Sequence, residues 1–302
     1  MNKHIAGKYL ALLIVLTLMG SPVVAQKAAV APKTQKPIVF AVLNDGGTLE
    51  PIAYVNKGKL EAPVNGSDEP AILAGFSKSY YKKGTIYRLV FGGANAGTVT
   101  VKSSDPASDC SKNMAVATTK ASKTPLKGLV MGLATNASVK STTSYRRKPT
   151  VAEKDEIDRL VRAEFGKQKL TPKVLRFQNL TALDLDNDGG AEFVGSYWVE
   201  IDKLTRALLF FIAFKDSNGK YAIGYEEYRK VEQSEVMSSE IKDVDDGVYH
   251  ELLLDVFDYD GDGTSEVFTY TQSFEGVGFN VYRRDGNKWT RAFEGSNYHC
   301  GY

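Results

Sequence analysis

Two nine-residue stretches carry the clearest chemistry in this chain: Asp184-Leu185-Asp186-Asn187-Asp188-Gly189-Gly190-Ala191-Glu192 and Asp258-Tyr259-Asp260-Gly261-Asp262-Gly263-Thr264-Ser265-Glu266. Both read D-x-D-x-D-G-x-x-E. Carboxylates at positions 1, 3 and 5 converge on one point only if the backbone curls round it. Glycine at position 6 permits that curl, having no Cβ to forbid positive φ, and a carboxylate at position 9 closes the cage. The candidate ligands are Asp184, Asp186, Asp188 and Glu192 in the first loop and Asp258, Asp260, Asp262 and Glu266 in the second. An oxygen-only site suits a hard cation, and Ca²⁺ tolerates irregular geometry better than Mg²⁺; two Ca²⁺ sites are expected. The alternative is a pair of acidic turns, since Asp, Asn and Gly favour turns for their own reasons. Recurrence in the same context argues for the metal. A structural role is expected for it, because packed carboxylates repel one another and a cation removes that repulsion.

The elements around the loops decide what kind of site this is. An EF-hand needs a bidentate Glu at position 12 between two helices, and position 12 falls on Gly195 and Thr269. Both loops are followed instead by β-branched and aromatic runs, Phe193 to Ile201 and Val267 to Thr271, and preceded by apolar residues such as Leu183 and Phe257. The unit is strand, acidic loop, strand. It resembles the Ca²⁺-binding hairpin of FG-GAP/VCBS repeats, the blade units of integrin α-chain propellers. The resemblance implies the same carboxylate ligands, and it adds a backbone carbonyl at position 7, from Gly190 and Thr264. Glu stands where that family more often has Asp at position 9, and the family's Phe-Gly and Gly-Ala-Pro signatures are missing around both loops.

After each loop the pattern continues alike. The first is followed by Ala207 to Phe214, a turn at Asp216-Ser217-Asn218-Gly219, and Tyr221 to Tyr228. The second is followed by Gly278 to Arg283, a turn at Asp285-Gly286-Asn287, and Lys288 to Phe293. Each module reads as a four-stranded, propeller-blade-like meander. Two blades cannot close a ring, so two packed sheets are expected, with other elements covering their apolar faces. Thr150-Val151-Ala152-Glu153 is a capping box, and Ile157, Leu160, Val161 and Phe165 follow at helical spacing. One amphipathic helix over 151–165 is predicted, stopped by Gly166.

Residues 38–137 read as a β-rich N-terminal domain, a small β-sandwich or barrel. Strands are predicted at Ile38 to Leu43, Leu49 to Val55, Thr85 to Phe91, Gly97 to Val101, Ala115 to Thr119 and Gly128 to Leu133, with Gly92-Gly93 as a hairpin bend. Ser77-Lys78-Ser79-Tyr80-Tyr81-Lys82-Lys83 reads as an exposed β-edge guarded by lysine. The Ser-, Thr- and Arg-rich stretch 138–149 reads as a linker to the C-terminal domain, 150–302. The overall fold class is mainly β with one helix.

Residues 1–25 have a secretory signal pattern: Lys3 and Lys8, an apolar core from Leu10 to Met19, and Val23-Val24-Ala25 as cleavage site. Cleavage after Ala25 would leave a flexible lead-in over 26–37. The protein is expected to be secreted or periplasmic, with no transmembrane span after cleavage. The two cysteines, Cys110 and Cys300, suggest a disulfide in an exported chain; two free thiols or an intermolecular bond are the alternatives. Between Gln26 and Thr150 there are 18 Lys and Arg against 7 Asp and Glu, and from Val151 onward 18 against 29. The basic half either faces the acidic half or contacts an anionic surface. A protein or an anionic glycan is the expected partner, and no nucleic acid is expected.

Little in the sequence points to catalysis. No Gly-x-Ser-x-Gly elbow and no His-Glu-x-x-His helix is present, and Glu226-Glu227 and Asp245-Asp246 read as solvated turn or edge residues. The expected function is that of an exported, calcium-binding, non-enzymatic protein acting in binding or cell-surface interaction. The alternative is a secreted, calcium-dependent hydrolase of a polysaccharide or phosphoester.

Overall fold

The computed structural model describes residues 35–122, 128, 130–140, 145–236, 243–286 and 288–300. The signal pattern at 1–25 and most of the lead-in lie outside them. The described chain is mainly β. No helix among the described residues is long and apolar enough to cross a membrane.

The first region is built from β1 (Ile38–Leu43), β2 (Thr48–Asn56), β3 (Lys59–Glu61), α1 (Pro70–Tyr80), β4 (Ile86–Phe91), β5 (Ala94–Ser104), β6 (Ala115–Ala121) and β7 (Val130–Thr135). The strands pair in the order β1-β7-β4-β5-β6-β2, and β2 returns to β1, closing a six-stranded antiparallel barrel with β3 added as a hairpin on β2. Every residue of β1 is buried, and its period-two alternation explains why. Ile38, Phe40 and Val42 fill the barrel with Leu49, Tyr87 and Leu89. Val39, Ala41 and Leu43 point outward into a second core shared with the rest of the molecule.

The all-β reading of this region missed α1. Pro70 stands at the start of that helix, where its missing N–H costs nothing, and Leu73, Phe76 and Tyr80 recur at helical spacing on the buried face. Phe76 and Tyr80 pack into the barrel core. Ser77 to Tyr80 are therefore the last helical turn, not a lysine-guarded β-edge.

The second region comprises β8 (Arg146–Arg147), α2 (Val151–Lys167), β9 (Arg176–Leu183), β10 (Glu192–Asp202), β11 (Thr205–Lys215), β12 (Tyr221–Glu232), β13 (Glu251–Phe257), β14 (Glu266–Gln272), β15 (Gly276–Asp285) and β16 (Lys288–Tyr298). Two antiparallel sheets result, β12-β11-β10-β9-β8 and β13-β14-β15-β16. They stack in layers. On one face of the first sheet, Ile157, Val161 and Phe165 of α2 meet Phe193, Tyr197 and Phe211. On its other face, Val194, Phe210 and Ile212 meet Leu253, Val267 and Tyr282 of the second sheet. The far side of the second sheet, with Leu254, Phe268 and Phe279, packs on the barrel. The order is helix, sheet, sheet, barrel. β11, a nearly unbroken apolar run, is buried on both faces.

The capping box is formed: Thr150 accepts from the Glu153 amide, and the Glu153 side chain accepts from the Thr150 amide at 2.7 Å. Arg147 grips the same carboxylate through both guanidinium nitrogens at 2.7 Å. Gly166 does not stop the helix. It lies in the last turn, and the left-handed residue is Lys169 (φ +62). The Leu170 amide donates to the Phe165 carbonyl and the Lys169 amide to Gly166, the paired bonds of a Schellman ending.

Within the segment read as linker, Arg146 and Arg147 pair with Leu183 and Ala182, and Arg146 makes a buried ion pair with Asp255 at 2.7 Å. Asp255, fully buried on β13, also accepts from the amides of Gly92 (3.0 Å), Gly93 (3.1 Å) and Val256 (2.7 Å). Gly92 and Gly93 have φ of +63° and +72°, the two-residue hairpin geometry that favours glycine. A Cβ on Gly93 would also stand 3.3 Å from the Val256 side chain. The hairpin bend of the barrel is thus docked on one carboxylate of the second sheet.

A second polar seam pins β16 to the barrel. The Asn297 amide group donates to Glu50 at 2.5 Å and to Asn113 at 3.0 Å, and His299 bonds Glu50 at 2.7 Å. Next to it, Cys110 and Cys300 are joined in a disulfide, with Cα atoms 5.0 Å apart.

Candidate metal centre

The acidic loops join β9 to β10 and β13 to β14. Strand register sets their mouths. Leu183 faces Glu192 and Phe257 faces Glu266, so position 9 is the first residue of each return strand, opposite the last residue of the outgoing one. Between them the two loops adopt one backbone path. Position 4 is left-handed in both (Asn187 φ +60, Gly261 φ +83), and so is position 6 (Gly189 φ +81, Gly263 φ +98). The hydrogen bonds repeat as well. The position 6 amide donates to the position 1 carboxylate at 3.2 Å in each loop. The position 7 amide donates to the position 5 carboxylate, at 2.5 Å from Gly190 to Asp188 and 2.8 Å from Thr264 to Asp262. The position 9 glutamate accepts the position 2 amide, at 2.7 Å from Leu185 and 3.2 Å from Tyr259.

This curl gathers carboxylates. Asp184, Asp186 and Glu192 bring one oxygen each within 4.8 Å of one another, and Asp258, Asp260 and Asp262 do the same. Either cluster could hold a metal ion. Asp188 and Glu266 lie outside these two triads, each with one carboxylate oxygen accepting from a loop amide. In the first loop, Oδ1 of Asp184 and Oδ1 of Asp186 are buried and have no hydrogen-bond partner. A carboxylate oxygen in that position is costly unless a donor or cation meets it, so the residues present fit a bound cation.

The electrostatics point the same way. Glu192 is pushed up to about 7, first by burial and then by Asp186, Asp188 and Asp184, against the Leu185 amide that favours its charge. Glu266 is pushed up to about 8 by burial and by Asp260. Asp184 is also raised, chiefly by burial. Each loop has one arginine from β15 set against it: Arg284 on Asp186 at 2.6 Å, and Arg283 on Asp260 at 3.1 Å and Asp262 at 3.5 Å. Arg283 and Arg284 carry no motif in the sequence. Only the β14–β15 register, which runs the end of β15 past the loops, reveals them.

The loops also touch each other. Asn187 donates to the Gly263 carbonyl at 2.9 Å, and the Ser265 amide donates to Leu185 at 2.7 Å. Lys140 reaches the Gly261 carbonyl at 3.0 Å. A cavity of about 330 Å³ lies at this junction, bordered by Asn187, Asp258, Asp262, Lys140 and Gly93.

Of the other acidic pairs, Asp245 is gripped by Arg206 at 2.6 Å. Glu226 and Glu227 lie on the edge strand β12, but Glu227 is held by Tyr225 and Arg291 instead of standing free in solvent. His250 is half-buried, and its partial burial holds it down at about 4.

No family model, no curated protein and no solved structure matches the chain.

Proposed function

We propose that both loops are Ca²⁺ sites of the FG-GAP/VCBS kind, and that the metal is structural in an exported, non-enzymatic binding protein. The observation that carries this reading is the repetition: two loops with the same left-handed positions and the same three side-chain-to-amide hydrogen bonds. An acidic turn without a metal needs no such sameness, nor unpartnered buried oxygens on Asp184 and Asp186. The ligands would be Asp184, Asp186, Asp188, Glu192 and the Gly190 carbonyl in one loop. In the other they would be Asp258, Asp260, Asp262, Glu266 and the Thr264 carbonyl. The ion would supply positive charge where the carboxylates repel. The chain's own part is to hold the loops at the mouths of two sheets and to tie them together through Asn187 and Ser265.

On this reading the two meanders are propeller-blade-like units stacked as a pair, with α2 and the barrel covering the faces that further blades would cover. The partner would be a protein or an anionic glycan, met by the basic N-terminal half. Calorimetric titration of chelator-stripped protein tests the metal assignment. Close to two Ca²⁺ per chain are expected, with Kd on the order of 10⁻⁴–10⁻³ M as for other extracellular modules, little response to Mg²⁺, and a rise in Tm. The double variant Asp186→Ala/Asp260→Ala should melt in Ca²⁺ as the parent does in chelator. A full Ca²⁺-dependent shift in that variant would reject the assignment.

A further inference from the structure

A second polar site lies between the two sheets, at the end of the strands away from the acidic loops. The inward-facing rows locate it. On β14, Val267 is followed two residues apart by Thr269 and Thr271, and on β15 Tyr282 gives way to Asn280 and Gly278. On β10, Val194 gives way to Ser196. The period of two is kept, but each row passes from large apolar side chains to small or polar ones. Stacked sheets normally fill this layer by interdigitation. Here the change leaves a cleft of about 260 Å³, bordered by Ser196, Thr271, Gly278 and Asn280 together with Glu227, Glu251 and Arg291.

We propose that this cleft binds an uncharged sugar residue.

Its donors and acceptors are held in place from behind. Oε1 of Glu251 accepts from Tyr282 at 2.7 Å, from Asn280 at 3.1 Å and from Thr269, which fixes this carboxyl in the cleft wall. Glu227 is fixed through one oxygen by Tyr225 at 3.0 Å and by Arg291. Arg291 in turn reaches Glu294 at 3.1 Å, and Arg229 is held on the Tyr249 carbonyl at 2.7 Å. Carboxylate oxygens only accept and guanidinium groups only donate. Two arginines offset Glu227 and Glu294, and burial favours the neutral form of Glu251, whose carboxyl can donate one hydrogen bond as well as accept. A ligand without net charge that both donates and accepts from adjacent atoms complements such a lining; vicinal hydroxyls on a ring do this, and the volume suits one ring. Tyr249, half-buried on the rim, offers an apolar face for the C–H side of that ring.

Gly278 supplies the decisive variant. A Cβ there would meet nothing closer than the Thr271 carbonyl at 3.9 Å, so Gly278→Val should fold while filling the cleft. The ¹⁵N-labelled protein, in Ca²⁺ buffer, is titrated with the methyl glycosides of glucose, galactose, mannose and N-acetylglucosamine, with glucuronate and glucosamine as charged controls. The expected result is shifts at the amides of Gly278 and Asn280 with at least one neutral glycoside, at millimolar affinity. Binding should weaken roughly tenfold or more in Gly278→Val and several-fold in Glu251→Gln, the scale of one hydrogen-bonded contact, with Tm unchanged in Gly278→Val. No shift with any neutral glycoside, binding of the charged sugars alone, or equal binding by Gly278→Val would each overturn the proposal. The readout does not depend on the metal assignment: if the loops bind no Ca²⁺, these arms still give their own answer.

Discussion

The two meanders have the same strand order and the same acidic loop, yet they are covered by different means. The first is covered by a helix laid on its outer face through Ile157, Val161 and Phe165, with polar fixing at the helix start by Thr150, Glu153 and Arg147. The second is covered by a closed barrel, and there the fixing is internal: Asp255 holds Gly92, Gly93 and Arg146 beneath the surface. A helix satisfies its own backbone and needs only an apolar stripe and caps. A barrel presents a hairpin whose amides must be met when it is buried, and a carboxylate meets two at once. The loops differ in the same sense. The first has the buried, unpartnered oxygens and a glutamate within its triad, whereas the second has its triad from three aspartates, one of them exposed.

The largest expected effect tests the internal fixing. Asp255→Ala leaves Arg146 and two glycine amides buried without their partner, which costs about 3–5 kcal/mol; urea unfolding measures it. A loss under about 1 kcal/mol, the scale of an exposed pair, would show that the Asp255 cluster does little to hold the barrel on the sheet.

Next comes the contrast between loops. Asp186→Ala and Asp260→Ala should each remove one Ca²⁺ equivalent in calorimetry, and Asp186→Ala should remove the tighter one, because its site gathers more buried oxygen. At a Ca²⁺ concentration a hundredfold above Kd, each site adds about 2.7 kcal/mol of stability. Equal affinities in the two single variants would erase the distinction between the loops.

The helix cover should respond more mildly. Glu153→Gln weakens both the capping box and the Arg147 pair, for about 1 kcal/mol. Its pH dependence has a definite sign. The carboxyl sits at about 2, below its ordinary 4.5, chiefly through the hydrogen bond from Arg147. Its contribution is therefore complete above pH 4.5 and is lost as pH falls toward 2. Melting curves of the variant and the parent should converge over that window; a gap that widens in acid would contradict the assignment.

The smallest effects belong to the arginines on the loops. Arg284→Gln and Arg283→Gln each remove a partly exposed ion pair worth under about 1 kcal/mol. Each should tighten Ca²⁺ binding at its own loop only, since the guanidinium and the ion compete for Asp186 in one case and Asp260 in the other. Weaker binding in either variant would mean that the arginine orients its carboxylate for the metal.

Much of this was legible beforehand because it is local. The acidic loops declare themselves by spacing, the capping box by Thr150 and Glu153, and the strands by apolar and β-branched runs such as Ile38 to Leu43. The missed α1 was local too: Pro70 with Leu73, Phe76 and Tyr80 would have marked it, but the Ser, Tyr and Lys residues at its end drew attention to a strand. Gly166 misled because a helix tolerates glycine within it and lysine can take the left-handed position after it. The rest depends on partners far away in the chain. Arg146 finds Asp255 only when the two sheets stack, Glu50 finds Asn297 only when sheet and barrel stack, and Glu227 meets Arg291 only when β12 and β16 converge.

The bond between Cys110 and Cys300 spans 190 residues, and it changes how the molecule would bear load. β16 is an edge strand and, untethered, would peel away from β15 one hydrogen bond at a time. Because its end is riveted to the barrel, tension applied there passes into the closed barrel wall, and the strand bears shear along its whole length. Reduction would leave that joint to hydrogen bonds such as those of Asn297 and His299, so a pull that the oxidised protein bears in shear would begin to unzip the reduced one at β16.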